Sequence, residues 1–573
     1  MTQAGSLENH LKPNPPQNSP KNSLPSSPFK GWFSNLTGDL TGGLTAAVVA
    51  LPLALAFAVA SGVEPKAGLY TAIVAGIVAA IFGGSPVQIT GPTGAMAVVL
   101  VGIVAKYGIE KVWIAGVMAG IIQVALGVAK LGRLVKFIPY PVTAGFTNGI
   151  AVIIFCGQLN NFFGLHLPNQ EHFLQALWQT VTHLEGYNWL AIALALLTIG
   201  TKLLWNRINQ SIPGSLVALI VATIAAVIAK SQWNLEVPTI GIIPQSLPIP
   251  QGIAHWNDFR LVRELINPAI ALAALGSIES LLSAVVADGM TVSDRHNSDR
   301  ELIGQGLANM IVPFFGGIPA TGAIARTAVN VRAGGKTRLS GVIHGVALAA
   351  IILIFAPLAS QVPLAALAGI LMITSIWMLE LKAIGLLMHT TYADFSVMML
   401  TWLVTVCFDL VLAVEVGLIA AGVLFIKRMS ELSLVKMPED GEFLAGIPLE
   451  FGKQIAIYRI DGPMFFGAAE RFVSFLRDAP EVKYLILRMR YVPSMDTTGL
   501  VALEEIYHDL QRHNCRLILS GLRPEVEQLL DRSGLLKEIG QEFCFDSTND
   551  ALQVIMPKVP EETSPQLKAE AIA

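Results

Sequence analysis

The chain has 573 residues, with 38 Lys and Arg against 41 Asp and Glu, so charged side chains make up only 14% of it, where a soluble protein carries about 25%. That deficit excludes an ordinary soluble enzyme, and a formal net charge of -3 leaves no basic face for nucleic acid. Cys156, Cys407, Cys515 and Cys544 are too few and too scattered for a disulfide framework or a zinc site, whose ligands come in close pairs.

The first 30 residues, with the run PNPPQNSPKNSLPSSP, are too poor in large apolar groups to offset ordering entropy and predict a disordered cytoplasmic tail. No short apolar core with a small-residue cleavage site precedes the first long run, so Asp39 to Ser61 reads as an uncleaved signal anchor. From Thr41 to Ala105 the only charges are Glu64 and Lys66, enough length for about three crossings at about 20 residues each. Through residue 430 the hydropathy predicts fourteen spans, centred near residues 50, 76, 100, 120, 149, 197, 220, 277, 308, 328, 347, 371, 401 and 420. With a cytoplasmic N-terminus the even-numbered loops should carry the Lys and Arg excess. They do: Lys130, Arg133 and Lys136, then Lys202 and Arg207, Arg295 and Arg300, and finally Arg332, Lys336 and Arg338. The long loop after the fifth span, Asn160 to Tyr187, holds Glu171 and Glu185 and no Lys or Arg.

The expected fold is therefore an all-α membrane domain of fourteen segments over 31–430, followed by a small cytoplasmic α/β domain over 440–558 and a tail over 559–573. The runs QIAIYRI, YLILRMR and RLILSGL predict strands, and amphipathic stretches from near Ala468, Thr498 and Pro524 predict helices.

Transport folds are often built from inverted repeats whose broken helices meet near the midplane. One echo between the halves fits that plan: Gly91-Pro92-Thr93-Gly94-Ala95-Met96-Ala97 and Pro319-Ala320-Thr321-Gly322-Ala323-Ile324-Ala325, 228 residues apart. A Pro starts a helix, a Thr caps it, and a Gly lets a ligand approach its unpaired N-H groups. Two such N-termini facing one cavity would make an anion site without a full charge. Close helix packing through small residues is the alternative reading. Arg326, one turn into the second broken helix where Val98 stands in the first, would add a full positive charge. It could instead snorkel or pair with a carboxylate. Glu279, in the middle of span eight with Ser277, Ser280 and Ser283 as expected hydrogen-bond donors on adjoining faces, could carry a proton, ligate a cation or pair with Arg326.

Other motifs carry less. Gly335-Lys336-Thr337 lacks the earlier Gly of a phosphate-binding loop, because Asn330 stands there, and reads as a turn. Ser298-Asp299-Arg300-Glu301 reads as a capping box, Asp288 as interfacial, and His296 as a residue without a metal-ligand partner. No Gly-x-Ser-x-Gly, His-Glu-x-x-His or dinucleotide fingerprint is present, so neither an enzyme nor a cofactor is expected.

These residues resemble the SulP family of sulfate permeases and related anion transporters. The likeness runs from about Phe33 to Pro557 and is carried by Leu51-Pro52 through Phe57, Gly68 to Ala72, Gly83-Gly84-Ser85, Gly91-Pro92, Glu279, Pro319 to Arg326 and Gly334 to Thr337. The C-terminal domain resembles a STAS domain, with the hallmark loop Pro493-Ser494-Met495-Asp496-Thr497-Thr498-Gly499. The resemblance implies two inverted seven-span repeats forming a core and a gate, elevator-like alternating access, and a homodimer in the plasma membrane. It implies a substrate site near Phe57, Thr93, Ala325 and Arg326 with Glu279 close by; the echo adds Gly94, Thr321 and Gly322, and a buried Glu279 is expected to couple transport to a proton or to Na+. In related soluble STAS proteins a Ser of the Asp-containing loop is phosphorylated; Asp496 and Thr497 are the counterparts here, though Thr497 could equally cap its helix.

Pro86 and Leu53 depart from common family residues, and the sodium-dependent bicarbonate branch lacks an Arg at the place of Arg326. The sequence thus points to proton-coupled sulfate uptake. Bicarbonate, C4-dicarboxylates and an uncoupled exchanger or channel remain open, with a sensor or a nucleobase permease as further rivals.

Overall fold

The computed structural model describes residues 31–165, 167–168, 170, 173–209, 212–253, 259–291, 295–408, 410–432, 434–436, 454–465 and 482–555. The tails expected at 1–30 and 559–573, the helix expected from Ala468, and Glu171 lie outside the described residues. The chain divides into two compact units after Leu418.

The first unit is helical. α1 (Leu36–Ala60) carries Pro52 in its interior, and α2 (Pro65–Phe82) starts with Pro at its first position, where the missing N-H costs nothing. Then come a two-residue strand β1 (Thr90–Gly91), α3 (Gly94–Tyr107), α4 (Ile109–Val128) and α5 (Tyr140–Gly157). The connection beyond α5 contains the short α6 (Leu159–Phe162) and α7 (Phe173–Thr182), followed by α8 (Trp189–Ile208), α9 (Gly214–Trp233) and α10 (Phe259–Glu264). The second half mirrors the first: α11 (Ile266–Met290), α12 (Ser298–Ile311), a second short strand β2 (Thr321–Gly322), α13 (Ile324–Arg332) and α14 (Arg338–Ala359). α15 (Leu364–Met378), α16 (Leu381–Thr390), α17 (Tyr392–Cys407) and α18 (Leu410–Leu432) complete the helices. All fourteen predicted span centres fall inside helices, and among the described residues nine helical stretches are long and apolar enough to cross a bilayer.

Packing follows the repeat. α4 packs on α12 as α14 packs on α2, α1 meets α14 as α11 meets α4, and α5 meets α17 as α8 meets α15. Glycine makes several of these contacts: a Cβ on Gly120 would strike Gly306 and Met310, and one on Gly127 would strike Asp299 and Ile303. Such small-residue seams are how helices approach closely where lipid removes the hydrophobic drive between them.

One loop-charge reading changes. Lys202 sits inside α8 and is buried, donating to the Thr374 hydroxyl at 2.9 Å and stacking on Trp377 at 4.6 Å. The Gly335-Lys336-Thr337 turn does cradle an anion, but an internal one. Buried Asp39 accepts from Lys336 N at 2.8 Å, Thr337 N at 2.9 Å and the Thr337 hydroxyl at 2.6 Å.

The second unit holds a sheet ordered β3 (Leu434–Lys436), β4 (Ile455–Asp461), β5 (Tyr484–Tyr491), β6 (Arg516–Ser520) and β7 (Cys544–Phe545). β3 is antiparallel to β4 and the rest run parallel. The three predicted strand runs match β4, β5 and β6. α19 (Thr497–Arg512) and α20 (Pro524–Ser533) start where expected, followed by α21 (Leu535–Ile539) and α22 (Thr548–Ile555). α19 buries Gly499, Ala502, Leu503, Ile506 and Tyr507, the spacing of one helical face. Its cap is Asp496, whose Oδ1 accepts from Gly499 N at 2.8 Å; Thr497 is the first helical residue and is exposed.

Candidate functional site

β1 and β2 pair antiparallel, Thr90 opposite Gly322 and Gly91 opposite Thr321. A two-residue ladder leaves most of its backbone groups unpaired, and at membrane depth water cannot satisfy them. Side chains from the neighbouring helices do so instead. Ile89 N donates to the Thr327 hydroxyl at 3.0 Å, Gly322 N to Ser280 Oγ at 3.0 Å, Ala320 N to Asn309 Oδ1 at 2.7 Å, and Ile318 N to the Thr71 hydroxyl at 2.7 Å. Asn330 Nδ2 donates to the Val87 carbonyl at 2.8 Å. The strands are short because the half-helices take over, and they are held by this polar lining.

The two half-helices begin beside the ladder. Thr93 is the N-cap of α3, accepting from Met96 N at 3.4 Å. Its counterpart in the sequence echo, Thr321, lies in β2; the N-cap of α13 is Ala323, which has no capping side chain. The echo therefore runs two residues out of step with the helix starts. Among the described residues the N-H groups of Gly94, Ala95, Ile324, Ala325 and Arg326 have no acceptor. They are the orphan donors that the first turn of any helix leaves.

The structure brings Thr93, Thr321 and Glu279 together. Both threonine hydroxyls lie 2.8 Å from Glu279 Oε2, and they are 3.2 Å from each other. The donors to Glu279 are thus these threonines and not the neighbouring serines: Ser280 and Ser283 turn toward Gly322 and Thr327, and Ser277 Oγ is buried with no partner among the described residues. Arg326, at 1% exposure, is turned inward rather than to lipid headgroups. Its Nη2 donates to the Pro92 carbonyl, the last peptide before the cap of α3, and its Nη1 is buried with no partner among the described residues. A Cβ on Gly91 would meet this guanidinium, so glycine there leaves room for Arg326 in its present position. No ion pair within 4 Å joins Arg326 to Glu279 among the described residues.

A cavity of about 1370 Å³ reaches this region from one face of the unit. Phe57, Ala97, Val98 and Ile154 line its inner part, whereas Thr93, Gly94, Glu279, Thr321, Gly322, Ala325 and Arg326 do not line it. Phe57 and Ile154 both lie against Gly94, so the cavity ends at the first residue of α3. Ala325 is exposed but is not part of that lining.

One site residue escaped the sequence. Glu301 is 2% exposed and accepts from Gly84 N at 2.7 Å, Ser85 N at 2.9 Å, Gln88 Nε2 at 2.9 Å and Gln305 Nε2 at 2.9 Å. It is not part of a capping box; Asn297 caps α12 by accepting from Arg300 N at 3.0 Å. Gln305 continues the chain to the Thr90 hydroxyl at 2.7 Å, tying the end of α2 to the strand pair. His296 contacts Asp288 at 2.7 Å and Ser298 at 3.0 Å.

Comparison with known proteins bears on this geometry. The profile of the sulfate permease family matches residues 36–401, and that of the STAS domain matches residues 447–551. The Bacillus subtilis protein named "Putative sulfate transporter YvdB" is 42% identical, over 85% of this chain and 91% of its own length. The Synechocystis protein named bicarbonate transporter BicA is 34% identical, over 85% of this chain and 88% of its own. The structure of the murine anion transporter Slc26a9 in its inward-facing state superposes with a TM-score of 0.81 at 18% identity, over 94% of this chain and 96% of that one. That likeness shows the fold: a helical membrane domain followed by an α/β STAS domain.

Proposed function

This chain belongs to the sulfate permease family, and from that premise we propose that it takes up a small inorganic oxyanion, sulfate first, by proton-coupled secondary active transport. The observation that carries the reading is the meeting of two half-helix starts, with five unpaired N-H groups, around the Thr93, Thr321 and Glu279 cluster.

The arrangement explains how an anion site can contain a carboxylate. Each threonine hydroxyl has one proton to donate, and ionised Glu279 accepts from both. In that state the hydroxyls are committed and the negative charge repels an oxyanion. Protonation of Glu279 removes the charge and releases at least one hydroxyl, so the anion binds when the proton does. Arg326 raises the local potential, and Coulomb attraction favours the more highly charged anion.

The charged turns lie on the face opposite the cavity mouth, so the positive-inside rule supports cytoplasmic termini in the plasma membrane and an outward-open cavity. Phe57 and Ile154 then act as the inner gate between the cavity and the half-helix. The core, α1 to α4 with α11 to α14, slides against the gate helices α5, α8, α9, α15, α17 and α18 in an elevator step, within a homodimer.

Uptake of radiolabelled sulfate into proteoliposomes tests the reading. An inward proton gradient should accelerate uptake, and Glu279→Gln should abolish the response to the gradient. Gradient-independent uptake by the unaltered protein, or dependence on Na+ in its place, would overturn proton coupling. The second reading, bicarbonate as substrate, is favoured by the likeness to BicA; bicarbonate that competes with sulfate in the low millimolar range, where dicarboxylates do not, would select it.

A further inference from the structure

α7 lies in the connection between α5 and α8, and its ten residues present three faces. Ala176, Leu177 and Thr180 line the large cavity, together with Phe173. Leu174, Trp178 and Val181 are exposed, Trp178 at 71%, and at 3.6 residues per turn they fall within an arc of about 60°. Gln175 and Thr182 are exposed beside that stripe. The helix contains no Asp, Glu, Lys or Arg.

What covers the exposed stripe follows from its neighbours. Only six residues separate α7 from Trp189, the first residue of α8, a tether of at most about 20 Å. Tyr187 and Trp189 are themselves exposed at the start of a membrane span, the place where aromatic side chains gather at a lipid interface. The outer side of α8 continues with exposed Leu196, Leu197, Leu203 and Leu204, which in a membrane protein face lipid. The stripe offers on the order of 400 Å², half of what one partner buries in a standard protein interface. That area is small for a protein partner, whereas the exposed aromatic and leucine side chains of the adjoining span favour lipid as what covers it.

We propose that α7 is seated in the headgroup layer of the bilayer, with Leu174, Trp178 and Val181 in the acyl boundary, and forms a lipid-anchored rim of the cavity mouth. The opposite face of the same two turns is cavity wall, so the depth at which α7 rides sets the width of the entrance.

The test uses the full-length protein in nanodiscs, labelled with 5-fluorotryptophan, with Trp178→Phe assigning the resonance of Trp178. A nitroxide carried on lipid near the headgroup should broaden that signal more strongly than a water-soluble gadolinium chelate does. Stronger broadening by the chelate would overturn the proposal. This arm needs no substrate, so its failure is separate from a failure of the anion assignment. In transport, Trp178→Asp should raise the apparent KM for sulfate about three- to tenfold, while Trp178→Phe leaves it unchanged. An unaltered KM in a folded Trp178→Asp protein would remove the link between the rim and the cavity.

Discussion

The two sheets of this chain solve the same problem by opposite means. In the STAS unit, β4, β5 and β6 pair over five to seven residues, each ladder bond is supplied by the next strand, and among the described residues the buried side chains are apolar except for Ser520 and Thr548. In the membrane unit, β1 and β2 share two residues each, and side chains such as Thr71, Asn309, Ser280 and Thr327 supply most of what the ladder lacks. A backbone that satisfies itself tolerates side-chain change, whereas a backbone satisfied by side chains does not. The second arrangement leaves helix starts open to a ligand, which a continuous ladder would have closed.

The largest effect should therefore come from Glu301, which holds four donors in one buried place. Glu301→Ala orphans all four at a cost of about 3–5 kcal/mol, and Glu301→Gln turns an amide N-H₂ against donors. Both should lower the unfolding temperature in detergent sharply. Truncating a half-exposed charge of the STAS sheet, such as Asp461 beside Arg459, should cost well under a third of that. Equal losses would break the comparison.

Arg326 gives the next effect. Its unpartnered Nη1 marks it as a group with binding capacity to spare. Arg326→Ala should raise the KM for sulfate tenfold or more, about 1.4 kcal/mol, and should affect monovalent anions less, because the lost Coulomb energy scales with ligand charge. Equal losses for sulfate and a monovalent anion would reduce Arg326 to a brace for the Pro92 carbonyl.

Much of this was legible in the sequence wherever the signal was local or repeated. Hydropathy put all fourteen span centres inside helices but missed α6, α7, α10 and α16; alternation placed β4 to β6, and the Thr-Gly-Ala echo found both half-helices. What failed were inferences from one segment about another's partners. The serines beside Glu279 are its sequence neighbours, but the donors come from 186 and 42 residues away. The Ser298 to Glu301 spacing satisfies a local capping pattern, yet the carboxylate has stronger donors at the end of α2. Lys202 counts as a loop charge until α8 is seen to run on to Ile208. Tertiary hydrogen bonding overrides local motifs most where backbone is irregular, which is also where the site lies.

The smallest effect sharpens the comparison from the STAS side. There the titratable groups include two thiols, Cys515 in the core and Cys544 half-buried at its edge. Burial pushes both up to about 11, and for Cys544 the neighbouring Glu527 and Glu542 add to the rise. The thiolate is the nucleophile, so at pH 8 both should react with iodoacetamide roughly a hundredfold more slowly than a free cysteine, as a shift of about two pH units requires. The sign for stability follows from the same shift. A thiol whose native pKa is raised contributes stability that is fully present below the unfolded value near 9 and is lost as pH climbs toward 11. Alkylation of the folded protein, followed by mass spectrometry between pH 7 and 11, reads the shift directly. Rapid labelling of Cys515, which is 6% exposed, at pH 8 would mean that this core opens readily. The self-paired sheet would then be the looser of the two, and the contrast drawn from Glu301 would have to be reversed.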